Sequence, residues 1–158
     1  MEDTFSKISI GRLNKFEECL DSQQSMLFQT NSIRNFLIYY DELPIGISQE
    51  TVKQLINEYF DEIELKSYVI DRNIRNKLGL KYILKIGRIY KVNLGFKYFS
   101  PSLGIELAFG IAIDTFLYFT TILPKLHNIP VFTIFFAIKW VYVKIFFVPK
   151  NKVYGMRY

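Results

Sequence analysis

The chain has 158 residues, with 20 Lys and Arg against 15 Asp and Glu for a formal net charge of +5, and half of its residues are hydrophobic. That length accommodates one small soluble unit beside an apolar membrane-length region, since domains usually run to about 100–150 residues. One cysteine, Cys19, and one histidine, His127, exclude an intrachain disulfide framework, a sulfur-rich metal cluster and a His-rich zinc site.

The N-terminus, Met1 to Leu13, carries acids where a secretory leader has its basic region and has no apolar stretch, so it does not read as a signal peptide. Residues 1–71 are acidic, with thirteen Asp and Glu against six Lys and Arg. A helix is expected over Phe5 to Gln24, with Ile8, Leu13, Phe16 and Leu20 on one side. A shorter one is expected over Asn31 to Tyr40, with Ile33, Phe36, Leu37 and Tyr40 at helical spacing. The stretch from Asp41 to Gly46, containing Pro44, breaks it. Ser48 then reads as the N-cap of a helix from Gln49 to about Glu62, whose Val52, Leu55, Ile56, Tyr59 and Phe60 form one apolar face. That face is expected to pack against the two earlier helices.

From Arg72 to Lys97 the charge inverts. Arg72, Arg75, Lys77, Lys81, Lys85, Arg88, Lys91 and Lys97 are basic, and no acid interrupts them. As a helix, Lys77, Lys81, Lys85, Arg88 and Lys91 share one stripe while Ile83, Ile86, Ile89 and Tyr90 face away. That arrangement describes an in-plane interfacial helix, apolar face in the lipid boundary and cations on anionic headgroups. As strands, Tyr82, Leu84 and Ile86 alternate with Ile83 and Lys85, with turns at Gly87 or Asn93 to Gly95. The helical spacing of the cations favours the helix; the strand reading of residues 80–97 leaves an α+β alternative for the soluble part. Adjacency to an apolar span makes lipid, rather than nucleic acid, the expected partner of these cations.

Two apolar runs follow, Leu103 to Leu123 and Pro130 to Val148, and each meets the roughly 20 residues needed to cross a bilayer core. Ser100, Pro101 and Ser102 mark the start of the first run, and Pro124, Pro130 and Pro149 mark the remaining ends. The intervening loop holds only Lys125 and His127 as basic groups, whereas cations crowd both outer flanks. The positive-inside rule therefore sets both termini in the cytoplasm and the loop outside.

Glu106, Asp114, Lys139 and Lys144 lie inside the runs. A charge at the centre of a spanning helix costs roughly 2.5–3.5 kcal/mol on insertion scales, so these groups are expected to face one another. Folding the runs about Lys125 and Leu126 sets Asp114 at the depth of Lys139, and Glu106 not far from Lys144, which predicts pairing across the two helices. Gly104, Ala108 and Ala112 repeat every four residues, with Thr115 continuing the stripe. Glu106, Gly110 and Asp114 form a second stripe on roughly the opposite face. Small residues at such spacing permit close helix approach, so one stripe is expected to meet the second run and the other a further chain.

No constellation in the sequence carries catalysis. His127 lies in the expected external loop and Cys19 on the other side of the membrane, too far apart for a nucleophile and its base. No phosphate-binding glycine motif occurs. Cys19 reads as a small core residue, and the scattered carboxylates of residues 1–71 read as a solvated surface. Neither metal nor cofactor is expected.

These features describe a mainly α membrane protein in four parts. An acidic cytoplasmic helical region at 1–71 is followed by a basic juxtamembrane amphipathic segment at 72–100. A transmembrane helical hairpin at 101–149 precedes a short basic cytoplasmic tail at 150–158. Residence in an inner or plasma membrane is expected, in contact with anionic headgroups. The expected role is that of a non-catalytic subunit or adaptor, docked through the hairpin as a homo-oligomer or against another membrane protein, with a cytoplasmic protein partner for the soluble region. A pore-forming or membrane-disrupting oligomer with a cytoplasmic sensing region is the alternative. A small lipid-acting enzyme using cytoplasmic carboxylates ranks third.

Overall fold

The computed structural model describes residues 4–21, 24–25, 28–65, 72–99, 103–120 and 130–155, and the protein is mostly helical. It divides into two compact units, one of Met1–Tyr98 with Asn151–Tyr158 and one of Phe99–Lys150. In chain order, the second is therefore an insertion into the first.

The first unit contains α1 (Phe5–Glu17), α2 (Thr30–Ile38), α3 (Ile47–Leu65), α4 (Arg72–Leu78) and α5 (Leu84–Leu94). A π-helical stretch, Gly79–Ile83, joins α4 to α5 without a break. Two short strands, β1 (Lys97–Tyr98) and β2 (Val153–Tyr154), pair in parallel with Lys97 opposite Val153 and Tyr98 opposite Tyr154.

Helix α1 stops well short of Gln24. The Asp21 side chain accepts a hydrogen bond from the Gln24 amide at 2.7 Å while the Gln24 side chain accepts one from the Asp21 amide at 2.9 Å. This reciprocal capping box starts a new turn where the periodicity predicts continuation. The inner face of α1 is also different: Ser6, Ser9 and Leu13 are buried, whereas Ile8 is exposed. Two serines let α1 approach its neighbours closely, and the Ser6 hydroxyl donates to Asp41 at 2.6 Å. Arg34 of α2 binds Glu17 and donates to Asn14 of α1.

Helices α2 and α3 present the faces expected of them. Ile33, Phe36 and Leu37 are buried on α2, followed by Tyr40, and Val52, Ile56, Tyr59, Phe60 and Ile63 on α3. Helix α3 starts earlier than a Ser48 cap implies. Gly46, at φ 132°, turns the chain, and its carbonyl accepts from the Glu50 amide, so Ser48 lies inside the first turn. Tyr59 donates to the Phe28 carbonyl at 2.8 Å, and complete burial raises its phenol pKa well above the ordinary value.

Residues 72–94 are helical, and strand structure near them is confined to β1. The apolar face of this helix is not a lipid face. Leu78, Tyr82, Ile83, Ile86 and Tyr90 are buried in the same core as the residues of α2 and α3. Tyr90 donates to the Phe36 carbonyl at 2.5 Å, a polar anchor that acyl chains lack. The π stretch inserts a residue into the helical repeat, so the cations before and after it do not share a single stripe.

The C-terminal segment is not a free tail. Val153, Tyr154 and Gly155 are buried within the first unit. Asn35 of α2 donates to the Val153 carbonyl at 2.9 Å, and Tyr154 joins Phe36 and Tyr98 in an aromatic cluster. The Tyr154 ring occupies the space where a side chain at Gly87 would begin.

The second unit is a pair of helices, α6 (Leu103–Thr120) and α7 (Val131–Phe146), closed by a 3-10 turn at Val148–Lys150. They pack antiparallel: Glu106 meets Lys139, and Gly110 and Asp114 meet Thr133. One helix among the described residues, Val131–Lys150 with its closing turn, is long and apolar enough to cross a membrane, and only 6% of it is buried. The expected cap at Ser100 to Ser102 and the loop from Pro124 to Ile129, with His127, lie outside the described residues.

Candidate functional site

Within the second unit the polar groups turn toward each other. At Gly110 a Cβ would lie 2.5 Å from the Thr133 Cα, so only glycine admits this approach of α6 to α7. One turn further along α6, Asp114 accepts hydrogen bonds from the Phe132 amide at 3.0 Å, the Thr133 amide at 2.8 Å and the Thr133 hydroxyl at 2.7 Å. The residue before α7, Pro130, supplies no capping side chain of its own. Asp114 thus caps α7 from the neighbouring helix, satisfying amides at the positive end of its dipole.

Lys139 pairs with Glu106 at 3.0 Å rather than with Asp114. The Glu106 side chain is only 12% exposed, so the pair is shielded on the acidic side. Lys144 does not meet Glu106; its ammonium lies 4.6 Å from the centre of the Trp140 ring, a cation–π contact on its own helix. The expected pairing assumed a fold about Lys125 and Leu126. The actual register is shifted, so that Lys139 finds the carboxylate two turns earlier and Asp114 reaches the start of α7.

The two stripes of α6 separate accordingly. Glu106, Gly110 and Asp114 face α7, and Gly104, Ala108 and Ala112 are exposed together with Phe109, Ile111 and Phe116. Of the four residues expected to pack helices, Gly110 makes a close contact and the other three remain on the open side.

In the first unit the basic residues divide into two groups. Glu62 of α3 pairs with Lys77 at 3.2 Å and Lys81 at 2.9 Å, and Tyr82 donates to the same carboxylate at 2.8 Å. Hydrogen bonding to Tyr82 and Glu62 raises the Lys81 pKa. Beyond the π stretch, Lys85, Arg88 and Lys91 are exposed, and Arg88 acts on Tyr154 through its charge. The side chains of Arg72 and Arg75 lie outside the described residues. On another face, Arg12 of α1 binds Asp61 at 3.0 Å and Glu64 at 2.6 Å on α3.

Cys19 is exposed rather than part of the core, with its thiol 3.7 Å from the Lys15 carbonyl. An open groove along α3 is lined by the carboxylates of Glu50, Glu58 and Asp61 together with Thr51, Lys53 and Asn57, and the Thr51 hydroxyl donates to the Ile47 carbonyl at 2.6 Å. Among the described residues, no cluster of His, Cys, Asp or Glu is placed to hold a metal ion. Comparison with protein-family models, with curated proteins and with solved structures finds no match.

Proposed function

We propose that this is an integral membrane protein whose helix pair forms a transmembrane hairpin, and that it acts without catalysis as a subunit or adaptor of a membrane complex. The carrying observation is the distribution of polarity in the second unit. Ile134, Phe135, Ile138, Val141, Tyr142, Ile145 and Phe146 are exposed on α7, while Glu106, Asp114 and Thr133 make their polar contacts between the helices. An apolar surface of that extent requires an apolar surrounding, and intramembrane charge requires a partner.

Chain connectivity supports two crossings. Because β1 precedes the helix pair and β2 follows it, and the strands pair with each other, the chain must return to the side it left. A spanning α7 therefore needs α6 as its counterpart. The excess of Lys and Arg outside the runs supports a cytoplasmic side for both termini.

Alkaline carbonate washing is expected to leave the protein in the membrane pellet, and full release would end this reading. A cysteine at Asn128 in a Cys19→Ser background is expected to react with an impermeant thiol reagent outside intact cells. The exposed Gly104, Ala108 and Ala112 stripe favours a second reading, a self-assembled pore. Native mass in detergent separates the two: a ring of defined copy number supports the pore, and a monomer or a heteromeric complex supports the subunit.

A further inference from the structure

We propose that the face of the first unit bearing Arg88, Lys91, Lys97 and Lys152 binds the anionic phospholipid headgroups of the leaflet that the inserted helices enter; this rests on the membrane reading above. The four cations come from three stretches of chain gathered around the paired strands. Arg88 and Lys91 lie one turn apart on α5, next to Gly87, which packs on Tyr154 of β2. Lys97 is exposed on β1, and its amide donates to the Lys152 carbonyl at 3.0 Å. The Lys152 ammonium lies 4.8 Å from the Tyr39 ring. Exposed Tyr98 of β1 stands edge-on to Tyr154, an amphipathic ring of the kind that sits at headgroup level.

Charge pairing sets Arg88, Lys91 and Lys152 apart from Lys77 and Lys81. Among the described residues no acid forms an ion pair with Arg88, Lys91 or Lys152, whereas Lys77 and Lys81 are held by Glu62. Chain reach favours the same face. Tyr98 precedes Leu103 by five residues, a span of at most about 17 Å when fully extended. Lys152 follows the closing turn at Lys150 by two residues. Wherever the helices enter the bilayer, both strands of the first unit are tethered within a short distance of its surface, where anionic lipid attracts Lys and Arg.

The test uses the full chain in nanodiscs of phosphatidylcholine alone or mixed with phosphatidylserine. Lysines are labelled with an amine-reactive acetylating reagent and read residue by residue by mass spectrometry. In the anionic discs, labelling of Lys91, Lys97 and Lys152 is expected to fall about fivefold, the occupancy that one cation gains near such a surface. Lys7, Lys15 and Lys53 are expected to label equally in both discs, and high salt should abolish the difference. Arg88→Gln should restore part of the labelling at Lys91. Equal labelling of the patch in both discs overturns the proposal, as does an equal loss at Lys15 and Lys53. Protection of the same lysines by a single-stranded oligonucleotide in neutral discs, but not by phosphatidylserine, overturns it in favour of nucleic acid. Failure of the chain to enter discs at all removes the membrane reading first and this inference with it.

Discussion

Ser32 and Gly155 bond each other in both directions: the serine hydroxyl donates to the glycine carbonyl at 3.0 Å and accepts from the glycine amide at 3.1 Å. Both partners are buried, and they stand 123 positions apart in the chain. The first unit is therefore completed by residues that follow the helix pair in the chain.

Ser32→Ala is expected to destabilise the first unit by about 1–3 kcal/mol, because it leaves the Gly155 amide and carbonyl buried without partners. Removing residues 151–158 should have a larger effect, since Val153 and Tyr154 leave the core together. Limited proteolysis of the full chain and of the truncated chain in detergent measures this. Equal resistance of the two would show that the C-terminal segment does not complete the fold.

Gly87→Ala places a methyl group in the Tyr154 ring, and overpacking of this kind costs about 1–3 kcal/mol. The penalty should shrink in a Tyr154→Leu background, where the ring is gone. Denaturant melts of the two single variants and the double variant provide the cycle. Additivity within about 0.5 kcal/mol would mean that the close approach is relieved some other way.

Sequence periodicity revealed the parts of the fold that rest on a large apolar stripe. Phe36 and Leu37 on α2, and Ile56, Tyr59 and Phe60 on α3, recur at helical spacing, and burial follows the stripe. Helix α1 departs from its apolar periodicity because small residues, Ser6 and Ser9, occupy its buried face, which no hydrophobic pattern records. The spacing of the cations marks the basic helix, but spacing cannot say whether its apolar face meets acyl chains or Phe36 and Tyr59. A two-residue strand such as β2 carries no periodicity, and the only clues to its place, Ser32 and Asn35, are polar residues on an otherwise apolar face. In the helix pair the sequence marks the charged residues, while their partners follow from the register of α6 against α7, in which Gly110 meets Thr133.

Acid should weaken the link between α1 and α3. The hydrogen bond from Arg12 lowers the Glu64 pKa. A carboxylate depressed in the folded state contributes stability above its unfolded value of about 4.3, and loses it as pH falls through the folded value. The pair is largely exposed, so its contribution is small. Arg12→Gln is expected to lower stability slightly at neutral pH, and the difference from wild type should vanish on acidification below that window. A difference that stays constant with pH would show that Arg12 acts through packing on Phe60, over which its guanidinium lies at 4.8 Å, instead of through charge.

The two carboxylates of α6 have different work to do, and a pair of mutant cycles separates them. Glu106→Gln leaves Lys139 without its counter-ion, and because the Lys139 side chain is 40% exposed the loss should fall below the roughly 3–5 kcal/mol of a fully buried pair. The double change Glu106→Leu with Lys139→Leu should recover most of that loss, because neither charge then needs a partner. Asp114→Ala should destabilise the pair through a separate route, by uncovering the amides of Phe132 and Thr133 at the start of α7. Thr133→Val should remove part of the same interaction and couple to Asp114→Ala, while Lys139→Leu should add to it independently. Thermal unfolding in detergent, followed by helix content, reads both cycles. Coupling of Asp114 to Lys139, with additivity of Glu106 and Lys139, would reverse the assignment and require the register of the two helices to be redrawn.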